Sequence, residues 1–145
     1  MRKSRVSAFA LGAIVASASL SGCSAPSQVS VEQACDTWFD AIENSDTLAG
    51  DMTVGETSSD IADRVAAWKE MAQAAKSIAP TLSEADPLAS GYFRVFAEAA
   101  DEAIPVAERV ANGAVEELSN ADAARETLLD AFYPIADVCV EFLLD

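Results

Sequence analysis

The sequence predicts an all-α fold: an up-down-up-down bundle of four helices clasped by one disulfide. Three observations predict it. Apolar residues recur at three- and four-residue steps in four separate stretches, the period of an amphipathic helix. Capping residues and prolines punctuate those stretches. Cys35 stands near the start of the first stretch and Cys139 near the end of the last. No segment alternates with period two or carries a β-branched run, so strands are not expected.

The helical domain is expected to span residues 30–145, with helix over more than half of residues 23–145. Ser30 followed by Gln33 matches a capping box. Val31, Ala34, Cys35, Trp38 and Ile42 then form one apolar face, which Asn44, Ser45 and Asp46 end. Residues 46–57, with Gly50 and Gly55, read as a long loop. Ser58 or Ser59 is expected to cap the second helix. Its stripe is Ile61, Val65, Trp68, Ala72 and Ala75, broadened by Met71 and Ile78. Pro80 is expected to stop it, because proline lacks an N–H and crowds the preceding turn.

Asp86-Pro87 is the third start signal, a carboxylate N-cap with proline at the first helical position. Leu88, Tyr92, Val95, Phe96, Ala99 and Ala103 continue its face. Pro105 interrupts a pattern that resumes at Val106, Val110 and Ala114. The reading is therefore one helix from 87 to about 117 kinked at Pro105, or two helices meeting there. Ser119 with Asp122 is expected to cap the last helix, with Leu128, Phe132, Ile135, Cys139 and Phe142 facing inward and Pro134 as a second kink.

Composition excludes several functions. The 145 residues suit one domain, and 51% hydrophobic content is too high for intrinsic disorder. Nine basic residues against 24 acidic ones give a net charge of −15, the wrong sign for displacing counterions from nucleic acid. With no histidine, imidazole-based triads, zinc sites and di-iron sites lack a ligand or base. There is no Gly-x-Ser-x-Gly, P-loop or dinucleotide fingerprint. No catalytic residue, metal ligand or cofactor is expected.

The first 22 residues read as a leader. Arg2, Lys3 and Arg5 precede an apolar run from Val6 to Leu20, too short and serine-rich for a comfortable bilayer span. The run ends in Leu20-Ser21-Gly22-Cys23, which resembles the lipobox of bacterial lipoproteins. That resemblance implies cleavage before Cys23 and a lipid on its thiol. It gives a signal peptide over 1–22 and a lipid-anchored tether over 23–29. The expected location is the cell membrane, on its extracytoplasmic side. The mature chain then keeps six basic and 24 acidic residues, a charge of −18, and is repelled by anionic lipid. In style the whole chain is similar to small alanine-rich helical lipoproteins of high-GC Gram-positive bacteria, a likeness that assigns no site residues.

With Cys23 so assigned, Cys35 and Cys139 form an even pair in an exported chain, which reads as a disulfide. Two inert buried thiols are the alternative. A bond needs Cα atoms within about 7 Å, so the first and last helices must run antiparallel. Acids recur four residues apart at Glu32, Asp36 and Asp40, at Glu98 and Glu102, at Glu126 and Asp130, and at Asp137, Glu141 and Asp145. Such rows attract divalent cations or form a solvated face. Trp38, Trp68, Tyr92, Phe96, Phe132 and Phe142 are expected inside, as core or as a pocket lining. Phe39, Phe93 and Tyr133 neighbour inward positions and are candidates for exposure. The function expected is a non-enzymatic module that engages an envelope protein. The alternative is a small-ligand or divalent-cation binder.

Overall fold

The computed structural model describes residues 29–143 apart from residues 44 and 54, so the leader and Cys23 lie outside the described residues. Four helices follow in chain order: α1 (Val31–Ala41), α2 (Ser58–Leu82), α3 (Pro87–Ala111) and α4 (Leu118–Val140). They form an up-down-up-down bundle around one core, with α2 on α3, α3 on α4, and α1 against α2 and α4. No strand occurs among the described residues. The chain enters where α1 and α3 begin and α2 and α4 end. We call this the entry end, and its opposite the loop end.

Local signals account for most boundaries. Ser30 and Gln33 make the reciprocal capping box, with Gln33 N–H donating to Ser30 Oγ at 3.2 Å. Asp86 caps α3 by accepting from Ala89 N–H at 2.9 Å, with Pro87 at the first position. Two expected caps are corrected. Thr57, not Ser58 or Ser59, caps α2, because Asp60 stands at the third position to return the hydrogen bond. The start of α4 has no side-chain cap, and Asp122 is engaged elsewhere.

The prolines bend the expectations more than the helices. α2 continues past Pro80 to Leu82, and α3 is one helix through Pro105, neither split nor extended to 117. Pro80 and Pro105 are both exposed, so water can satisfy the carbonyl each leaves unpaired. What ends α3 is Asn112-Gly113, where Gly113 takes a φ of 104° that other residues adopt at a cost.

The disulfide between Cys35 and Cys139 is present, with Cα atoms 5.3 Å apart. Beyond it, Trp38 anchors α1. Its buried ring lies edge-on to Phe93 at 5.5 Å and Phe96 at 5.0 Å, with Phe132 at 6.1 Å. Such edge contacts add about 0.5–1.5 kcal/mol each beyond area burial.

The α3 face differs from expectation. Ala89, Phe93, Phe96, Ala97, Ala100, Ala103, Ala107 and Val110 point inward, while Leu88 is 65% and Val95 50% exposed. Phe93, a candidate for exposure, is buried, whereas Phe142, expected inside, is 38% exposed. Tyr92 and Phe132 are half-buried, and Tyr133 is exposed. Alanines decide this register: α3 must face α2 and α4 at once, and small side chains let two neighbours approach.

The disulfide spans a sequence separation of 104 residues. Replacing Cys35→Ala and Cys139→Ala together should lower unfolding free energy by about 2–4 kcal/mol, the usual cost of losing a native clasp. Urea titration without reductant measures it; equal midpoints for both proteins would show that packing alone holds α1.

Candidate functional site

Two places gather polar side chains around structure that helices alone do not complete. The first is at the loop end. α1 has 11 residues against 25, 25 and 23 for the others. At about 1.5 Å per residue it leaves roughly 20 Å of the fourth corner without a helix. The connection from α1 to α2 fills that space. It is not simply a solvated loop: a 3₁₀ turn at Ser45–Leu48 buries Leu48, and Met52 is buried beyond it.

Two arginines hold this segment. Arg64 of α2 donates to the Thr47 carbonyl at 2.8 Å and pairs with Glu56 at 2.7 Å. Arg125 of α4 is only 3% exposed. It donates to the Leu48 carbonyl at 3.1 Å, to Asp51 at 3.2 Å and to Asp122 at 3.0 Å. Asp122 accepts in turn from Met52 N–H at 2.9 Å. That bond chiefly, helped by the Arg125 guanidinium and opposed by burial, holds the Asp122 carboxyl below its ordinary value. Sequence reasoning missed this clamp. Arg125 falls on the inward stripe of Ala121, Leu128, Ile135 and Cys139, and a cation at such a position was the available signal.

The second place is an open groove of about 550 Å³ at the entry end. Val31 from α1, Asp86 and Tyr92 from the start of α3, and Asp137, Glu141 and Phe142 from the end of the chain line it. The disulfide joins the first turns of α1 to the last turns of α4 and so fixes two of its walls. Val140 and Leu88 are exposed at the same end.

Of the residues singled out in the sequence, Cys35 and Cys139 are joined, and Cys23 lies outside the described residues. Asp36 and Asp40 are exposed on α1, and Asp130 and Asp137 on α4. Among the described residues no three acids or cysteines group closely enough to hold a metal ion. No described helix is long and apolar enough to cross a membrane. No protein-family model matches the chain, and no curated protein or solved structure matches it significantly.

The clamp sets a pH dependence. Because the folded-state pKa of Asp122 is depressed, its stabilisation is fully present above the ordinary aspartate value of about 3.9 and is lost as pH falls through the lowered one. Asp60, lowered by its hydrogen bonds with Thr57, and Glu117, lowered by its bond to Arg109, titrate in the same direction. Asp122→Asn keeps an acceptor for Met52 N–H but removes the charge. Its unfolding free energy should fall less steeply than wild type below pH 4; parallel curves would show that Asp122 does not govern the acid limb. Arg125→Met, which strands the Leu48 carbonyl, should cost about 3 kcal/mol by chemical denaturation.

Proposed function

We infer that the chain is an exported lipoprotein whose helical bundle is a non-enzymatic binding module for a protein of the cell envelope. One observation carries the reading: the Cys35–Cys139 bond. Disulfides persist outside the cytosol and are rare within it. That is where a leader ending in Leu20-Ser21-Gly22-Cys23 would send the chain. Lipid on Cys23 would then hold the domain at the outer face of the cell membrane. Two or more acyl chains suffice for firm anchoring, at about 0.8 kcal/mol per buried CH₂.

The domain's own features favour contact over chemistry. The chain has no histidine to act as a base near neutral pH. The entry end instead offers an open groove with exposed Leu88, Val140 and Phe142 nearby. Apolar side chains gathered at one end are the kind of surface a partner covers. Seven residues, Ser24 to Ser30, separate the lipidated position from α1. Fully extended they reach about 25 Å, which would keep this end close to the membrane and to proteins within it.

Wild-type protein expressed in a lipoprotein-processing bacterium should partition into detergent and begin at Cys23. Cys23→Ala should remain unprocessed or be released. A soluble wild-type chain with a different mature N-terminus would remove the anchor from this reading. Photo-crosslinking from surface positions in intact cells should recover a defined envelope protein, and no reproducible product would remove the binding role.

A further inference from the structure

The binding-module reading leaves the chemistry of the partner open, and the distribution of charge narrows it. All six basic side chains of residues 23–145 are engaged in ion pairs. Lys69 pairs with Glu108, Lys76 with Asp101, Arg94 with Glu98 and Arg109 with Glu117, while Arg64 and Arg125 hold the loop end. None lines the entry-end groove; Lys76 and Arg94 stand further along α2 and α3, beside Pro80, Ser83 and Ser90. The groove lining includes Asp86, Asp137 and Glu141 and no Lys or Arg, and Glu32 and Asp36 lie exposed on the first turns of α1.

The groove lies within this acidic end. Its lining combines carboxylates and rings: Asp137 and Glu141 are exposed, Asp86 and Tyr92 half-buried, and Phe142 is 38% exposed. One Asp86 oxygen caps α3, which fixes that carboxylate at the groove wall. At about 550 Å³ the groove is within the usual 300–1,000 Å³ range for ligand sites. Since its acids do not converge into a metal-holding group among the described residues, they suit a ligand whose positive charges are also spread out.

Resting on that reading, we propose that the groove receives a short cationic, amphipathic segment of the partner protein. Its Lys or Arg side chains meet Asp86, Asp137 and Glu141, and an apolar or aromatic side chain lies against Tyr92 and Phe142. Cation–π contact adds to the ion pairs where a cation crosses a ring. Other occupants fit less well. A second copy would bring the same acids face to face across a two-fold axis. Anionic lipid is repelled. The chain's own Ser24-Ala25-Pro26-Ser27-Gln28 carries no positive charge.

The test uses the full chain in nonionic detergent and three fluorescent pentapeptides, each corrected for binding to empty micelles. One alternates Lys with Leu and Phe, one replaces the apolar residues by Ser, and one replaces Lys by Glu. Anisotropy should show saturable 1:1 binding of the first, at least tenfold weaker binding of the second and none of the third. Asp137→Asn with Glu141→Gln should weaken the first peptide tenfold or more without changing the melting temperature, and Tyr92→Ala should weaken it severalfold. Asp40→Asn with Glu43→Gln, removing equal charge away from the groove, should leave it unchanged.

Equal loss in both double variants, or equal affinity for the Lys/Ser peptide, would reduce the effect to bulk charge and overturn the proposal. So would a dimer by sedimentation that Tyr92→Ala dissociates. Envelope crosslinks that persist in the Asp137→Asn, Glu141→Gln variant while no peptide binds would overturn the groove assignment alone. Absence of any crosslink would instead remove the binding-module reading.

Discussion

A helix of 11 residues shares this bundle with helices of 25, 25 and 23, and the mismatch governs the rest of the structure. A bundle corner left open would expose the apolar stripes of α2 and α4 along half their length. The connection after α1 closes it with Leu48 and Met52. An irregular segment in such a position brings unpaired backbone groups with it, and these must be satisfied. Arg64 and Arg125 supply donors to the Thr47 and Leu48 carbonyls, and Asp122 supplies an acceptor to Met52 N–H. A buried arginine thus follows from a short helix.

The same shortness explains why α1 is fastened so heavily. Isolated helices below about 12–15 residues are marginal in water, so α1 depends on what it touches. It is capped at Ser30, bonded to α4 through Cys35, and plugged into the core by Trp38 within a single run of nine residues. Trp38 Nε1 has no hydrogen-bond partner among the described residues. The ring's position is therefore set by packing against Phe93, Phe96 and Phe132, and the large apolar area it buries outweighs the unsatisfied donor.

Where the sequence spoke through local chemistry, it was legible. The Ser30 capping box and the Asp86-Pro87 start act within four residues, and each appears in the structure. The paired cysteines fixed the relative direction of α1 and α4 before any packing was known. The failures share a cause. Reading α3 from Leu88, Tyr92 and Val95 gave weight to large side chains, while the true face is an alanine series at 89, 97, 100, 103 and 107 with two phenylalanines. Ser119-x-x-Asp122 matched a cap pattern, yet Asp122 is drawn away by a loop 70 residues earlier in the chain. Pattern reading misses partners that only tertiary structure supplies, and the groove is of that kind, assembled from three separate stretches.

The division of charge between the two ends follows from the same architecture. Two cations hold the loop, two join α2 to α3 at Lys69–Glu108 and Lys76–Asp101, Arg94 pairs with Glu98 along α3, and Arg109 pairs with Glu117 beyond its end. The groove has none in its lining, and the disulfide joins two of its walls. Asp36 follows Cys35 directly, and Asp137 and Glu141 stand two residues either side of Cys139. The bond holds α1 to α4 with these like charges on either side of it. The covalent clasp therefore lets the groove keep Asp137 and Glu141 exposed with no cation in its lining, which is the charge pattern on which the proposed cationic occupant rests.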